Sequence, residues 1–207
     1  RGVLWARATW PVAARCAAPT LHVAGEGDRG GAAAMAPANE AQLSFFEALY
    51  AARDADAHEI LGGIHLGAQS AAEDKQAMRK RRITYVLIVH PKLPERHPQH
   101  FKYGRVPLLD EPEANLLELL PDALAFFGRA RASGSGVFVH CAKGISRSAA
   151  VVVALLMFDT GATFDEAWGQ CEKKRPIVYP NIGFQQQLRH FEGVLRRHAA
   201  AAAGGAG

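Results

Sequence analysis

Apolar residues recur along this chain at two spacings, about 3.6 and 2 residues, and the switches between them mark out its elements. Behind Asn39, with Gln42 three residues on, Leu43, Phe46 and Tyr50 share one helical face, predicting a helix from residue 39. Between Glu59 and Ala68 the pattern shortens to alternation, with Ile60, Ile64 and Leu66 around paired glycines, which predicts two short strands and a turn. Ser70 and Glu73 form a capping box for a helix ending near the basic run Arg79–Arg82, where cations suit the negative end of a helix dipole. Ile83–Val89 reads as a buried strand, Phe101–Leu108 as another, and Leu116–Phe127 as a helix that Pro121 should kink or restart. Gly136–His140 is a short, β-branched strand. Near the end, Asn181 caps a helix whose Phe184, Leu188, Phe191 and Leu195 form a core stripe.

This pattern gives one domain over residues 39–198, with a core over 59–195 preceded by an extra helix. A disordered extension is expected over 1–38 and a disordered Ala/Gly tail over 199–207. With 49% apolar and 21% charged residues in 207, the composition is that of a packed domain and excludes a disordered chain. The longest apolar run, Ala149–Phe158, is half of what a membrane helix needs, so no membrane span is expected.

A net charge of +4 is too mild to require nucleic acid, and none is expected as a partner. The run Arg79–Arg82 could serve nuclear localisation or kinase docking, but the buried strand right after it favours a plain helix end. Cys16, Cys141 and Cys171 form no pair at metal-binding spacing, which fits a reducing compartment and a cytoplasmic, also nuclear, location. Residues 1–25 carry three arginines and no acid, so organelle targeting stays open, while Met35 offers another start. The histidines of the loop 90–100 are separated by prolines and lack a completing ligand, so no metal is assigned to them.

Chemistry concentrates in His140-Cys141-Ala142-Lys143-Gly144-Ile145-Ser146-Arg147-Ser148, lying between a strand and a long apolar segment. A strand, a tight loop and a helix N-terminus bring successive backbone N–H groups to one point, which makes residues 142–147 a phosphate cradle. Cys141 at its start would stand as thiolate nucleophile. Arg147 presents a planar fork to two phosphoryl oxygens, Ser148 can donate to the sulfur as it leaves, and His140 can hold the loop backbone. Each residue alone has an ordinary structural reading. Their order and spacing together do not.

The segment resembles the C-x5-R cysteine-dependent phosphatases, in the form seen in dual-specificity protein phosphatases. The likeness extends from Glu59 to Glu192 through Gly63-Ile64-His65-Leu66-Gly67, Ile83–Val89, Val106-Pro107-Leu108-Leu109-Asp110, Lys174-Arg175-Pro176 and Pro180-Asn181-Ile182-Gly183-Phe184. Leu93-Pro94-Glu95-Arg96-His97-Pro98 is similar to plant-type members. The resemblance implies that Asp110 is the general acid and then the base, with Glu111 as the rival carboxylate, and that Asn181 supports the site. It also implies a phosphocysteine intermediate, no metal or organic cofactor, and a monomer acting on phosphotyrosine and phosphoserine or phosphothreonine in proteins, MAP kinases among them.

The segments fit the fold so implied: an α/β domain with a small central mixed sheet of about five strands and helices on both faces. In it Ser146–Thr160 must be helical despite three consecutive valines, ending at Gly161. Thr163 and Glu166 then cap a further helix in which Cys171 packs into the core. Lys143, where the family more often has an uncharged residue, adds a cation suited to acidic or multiply phosphorylated substrates. Two other functions are open to this sequence. One is a phosphatase of phosphoinositides, glucans or RNA 5′-phosphates, since the loop occurs there too; the other is a phospho-binding pseudophosphatase.

Overall fold

The computed structural model describes residues 56–204. The extra helix expected from Asn39 and the extension over 1–38 lie outside the described residues. Strands β1 (His58–Leu61), β2 (Ile64–Gly67), β3 (Ile83–Val89), β4 (Lys102–Val106) and β5 (Gly136–His140) form one sheet in the order β1-β2-β5-β3-β4. β1 and β2 are an antiparallel hairpin turning through Gly62 and Gly63, both at positive φ, while β2, β5, β3 and β4 run parallel. The parallel strands therefore all end on one edge, where ligands of such sheets bind.

Strand alternation divides the sheet's side chains between two cores. Tyr85, Leu87, Val89, Val137 and Val139 face the larger core; Val86, Ile88 and Phe138 join Ala71, Ala72, Met78 and Phe101 on the other side. The larger core is closed by helices α2 (Leu116–Ala132), α3 (Arg147–Thr160), α4 (Phe164–Lys174) and α5 (Ile182–Gly204), the smaller by α1 (Lys75–Lys80) and the 3-10 turn Gln69–Ala72. Helix α3 is the hub. Every residue from Ser148 to Met157 is buried, so packing overrides the strand preference of Val151–Val153. It ends at Gly161 in the left-handed conformation.

Three expectations need correction. The helix after β2 is capped by Asp74, which accepts from Ala77 N–H, and not by Ser70. Ala71 and Ala72 are pressed into the core, and that segment closes as a 3-10 turn instead. Helix α2 runs on through exposed Pro121 as one element, so of the two outcomes expected there the restart does not occur. The Ala/Gly tail expected to be disordered is helical as far as Gly204, because α5 is already formed when it reaches the alanines, the best helix formers, and simply propagates.

Candidate active site

The loop 141–146 leaves β5 at the carboxyl edge of the sheet and enters α3. Its carbonyl groups are all turned away from its centre. Ala142 O accepts from Gln69 N–H (3.2 Å), Ile145 O from Tyr179 N–H (2.9 Å), and Ser146 O from Ala150 N–H (2.8 Å). Arg175 takes the two between, donating from Nη2 to Lys143 O (3.0 Å) and from Nε to Gly144 O (2.8 Å). Cys141 O lies 3.2 Å from His140 Nδ1. Across the trans peptides of this loop each outward carbonyl sets the N–H of the next residue inward, so residues 142–147 aim their amides at one point. No side chain caps the first turn of α3, which leaves that helix end open to an anion as well.

Cys141 lies at the bottom of this cradle, 1% exposed, its Sγ accepting from Gly144 N–H (3.2 Å) and from Ser148 Oγ (3.3 Å). Gly144 makes the bend possible. It sits at φ 67°, and a Cβ there would lie 2.4 Å from the carbonyl of Gly67 at the end of β2. His140 stacks on Phe138 with ring centroids 5.2 Å apart, and burial pushes its imidazole down to about 4. The neutral ring therefore carries its proton on Nδ1, the nitrogen facing Cys141 O, and serves as a backbone prop.

Asp110 reaches the loop from the segment after β4. Its Oδ1 accepts from Ser146 Oγ (2.5 Å) and Asn181 Nδ2 (3.1 Å), while Asn181 N–H donates to Ser146 Oγ (3.1 Å). Arg147 Nε lies 3.4 Å from Asp110 Oδ2, within ion-pair range but not aligned as a hydrogen bond. The guanidinium keeps a buried donor without a hydrogen-bond partner among the described residues, as a group that receives an oxyanion would. The structure thus brings Cys141, Arg147, Ser148, Asp110, His140 and Asn181 together. Glu111 remains exposed in the turn beyond.

Lys143 is exposed, its carbonyl held by Arg175. Cys171 is fully buried in the core, where burial pushes its thiol up to about 12, in keeping with a packing role. Sequence reasoning missed Arg175, 2% exposed and clamping two loop carbonyls. Lys174-Arg175-Pro176 is among the segments that carry the resemblance, but sequence alone assigns Arg175 no role there.

Residues 64–194 match the family model described as "Dual specificity phosphatase, catalytic domain". This chain belongs to that family. Mouse "Dual specificity protein phosphatase 19" is 37% identical over 127 residues, covering 61% of this chain and 58% of the relative. Arabidopsis thaliana "Dual specificity protein phosphatase 1B" is 35% identical over 144 residues, covering 70% and 86%. Among solved structures, that of a mouse putative dual specificity phosphatase complexed with zinc tungstate superposes with TM-score 0.67 at 31% identity, covering 69% of this chain and 90% of that one. The chain therefore spans little more than half of the mouse phosphatase 19 and most of the Arabidopsis one.

Proposed function

We propose that this dual specificity phosphatase hydrolyses phosphotyrosine and phosphoserine or phosphothreonine on proteins, in the cytoplasm, through a phosphocysteine intermediate and without metal or organic cofactor. One observation carries the reading: six consecutive loop carbonyls are pinned outward around a buried cysteine. That leaves the amides, the open end of α3 and Arg147 to line a place for a tetrahedral dianion above Sγ. The tungstate of the mouse relative's complex is an oxyanion of that shape.

In the first step the Cys141 thiolate attacks phosphorus, the P–O bond to the substrate breaks, and Asp110 gives its proton to the leaving oxygen. Asp110 as carboxylate then takes a proton from water, whose oxygen attacks phosphorus. The S–P bond breaks, Ser148 Oγ–H holds the returning thiolate, and inorganic phosphate leaves. Arg147 holds two phosphoryl oxygens throughout. Asp110 must let go of Ser146 and Asn181 to reach the leaving oxygen, and its place on an exposed turn allows that.

The rim favours a protein over a phosphoinositide or an RNA end. Leu109, Tyr179 and Ile182 are 50%, 64% and 58% exposed, and each adjoins the cradle. Leu109 precedes Asp110, Tyr179 is bound by its N–H to Ile145 O, and Ile182 follows Asn181. Such an apolar collar suits side chains flanking a phosphorylated residue and would waste contacts on a polyanionic headgroup. MAP kinases are the substrates the family resemblance suggests.

The test is turnover of matched phosphotyrosine and phosphothreonine peptides by the full chain with chelator present, and Cys141→Ser as control. Activity on both peptides that vanishes in the variant is expected. Peptide binding without turnover by the native chain would mean a phospho-reader. Turnover of phosphoinositides alone would move the substrate out of the protein class.

A further inference from the structure

At the opposite edge of the sheet, where β2, β3 and β5 begin, lies a cleft of about 530 Å³ that the phosphatase chemistry leaves unused. Four cationic residues line it: Lys80 and Arg81 from the end of α1, Arg82 just before β3, and Arg131 from the last turn of α2. Its single lining carboxylate, Glu59, is engaged, Oε1 accepting from Gly63 N–H at 3.0 Å. Two of the cations are held from behind. Arg81 pairs with Asp56 at 3.1 Å, and Arg131 pairs with Asp159 while donating to Gly62 O at 2.9 Å. Lys80 and Arg82 are exposed, and no acid pairs with either among the described residues. His65, which also lines the cleft, is held below its usual range by burial and adds no charge.

Arg82 gives the second, independent observation. Among the described residues it is the one non-glycine at positive φ, 56°, with its N–H bonded to Arg79 O and its own carbonyl accepting from Gly136 N–H. This is the position past a helix end that glycine ordinarily fills, because a Cβ there is strained. Glycine is used freely nearby, at Gly62 and Gly63 in the hairpin turn and at Gly134 in the loop before β5, all at positive φ. A long cationic side chain kept at a strained backbone position, in the wall of a cleft already rich in guanidinium, is costly to the fold and points to a use.

We infer that this cleft binds a compact, multiply charged anion with clustered phosphates. Its volume is that of a small-molecule site and not of an extended groove for an acidic peptide. Convergent Arg and Lys from three separate elements match phosphate clusters. Those phosphates have two sources, a soluble polyphosphate or a polyphosphorylated lipid headgroup. From Gly136 to Cys141 the strand covers about 16 Å, so occupancy leaves the catalytic cradle open.

The test uses the full chain with Cys141→Ser, to silence the cradle's chemistry, and compares it with the same chain carrying Arg82→Gly or Lys80→Ala. Binding of sodium tripolyphosphate is followed by calorimetry with tungstate saturating the cradle, and co-sedimentation is measured with vesicles containing 5% phosphatidylinositol bisphosphate. The expected result is one tripolyphosphate bound beside tungstate, weakened tenfold or more by either substitution. The unliganded Arg82→Gly chain should melt no lower than its parent, since glycine relieves the strain. Vesicle capture lost in the same two variants assigns the lipid source, and its absence assigns the soluble one. Tripolyphosphate binding that is absent, or equal in all three chains, overturns the site. The companion chains with Cys141 restored should turn over p-nitrophenyl phosphate at the native rate, which separates this outcome from failure of the catalytic reading.

Discussion

Arg175→Met tests whether the cradle is held open from outside. The substitution keeps the length and apolar stem of a fully buried side chain but removes both donors to Lys143 O and Gly144 O, together with the Nη1 contact to His58 Nδ1 at 3.3 Å. A hydrogen bond from a charged donor contributes about 1.5–3 kcal/mol, so losing two sets an upper range of about 3–6 kcal/mol. The guanidinium's own desolvation, which methionine avoids, takes back part of that, leaving a net loss of about 2–3 kcal/mol. For a domain of this size that lowers the melting temperature by about 5–10 °C. The catalytic effect is separate. With two carbonyls released, the amides of Gly144 and Ile145 no longer aim inward, and a displacement of about 1 Å at a reacting centre costs about 10²-fold in rate. Urea unfolding gives the stability, while kcat and tungstate affinity are measured at 10 °C, where both chains are folded. Arg175→Lys, with one ammonium for two carbonyls, should fall between. A methionine variant with native tungstate affinity and native kcat refutes the clamp, whatever its stability.

Other predictions address the remaining parts of the site. Asp110→Asn should lower turnover of an alkyl phosphate by 10²–10⁴-fold and of p-nitrophenyl phosphate much less, because a good leaving group needs little proton transfer; equal losses on both would remove Asp110 from the acid role. Buried His140 is held down to about 4 against 6.5 unfolded, so the unfolded chain binds the extra proton. Stability is thus full above pH 6.5 and falls towards pH 4 by about 3 kcal/mol in all; His140→Asn, which keeps a donor, should flatten that slope in denaturation curves across this window. Gly144→Ala places a Cβ 2.4 Å from backbone at φ 67°, so soluble protein with native tungstate affinity would contradict the described packing of the loop on β2; a loss above about 2 kcal/mol is expected.

What could be read from sequence was what is local. His140 to Ser148 carries the strand end, loop and helix start in nine consecutive residues, and Thr163 with Glu166 forms the capping box in both directions, as their spacing predicts. The last helix starts where Asn181 caps Phe184 N–H. What escaped is set by residues far apart in the chain. Ser146 looks like a helix cap, but its hydroxyl is spent on Asp110, 36 positions away, and Asn181 adds a bond 71 positions away. Arg175 grips a loop 31 residues upstream, and the segment Lys174-Arg175-Pro176, though part of the resemblance, does not by itself show which carbonyls it holds. Ser70 lost the capping role to Asp74 because tertiary packing claimed the alanines between them. The alanine tail went the other way, its local propensity being enough once a helix preceded it.

The placement of α3 divides the site in time as well as in space. Its amides from Ser148 to Met157 lie under a fully packed layer, so they should exchange with deuterium only when the whole domain unfolds, and the cradle at its head inherits that slow clock. Residues 109–113, exposed and outside any helix or strand, should exchange well before α3, held by the Asp110 contacts to Ser146 and Asn181 and by the packing of Pro112 on Gly183. On the proposed mechanism, Cys141 and the cradle would stay assembled while Asp110 swings between its resting contacts and the leaving oxygen.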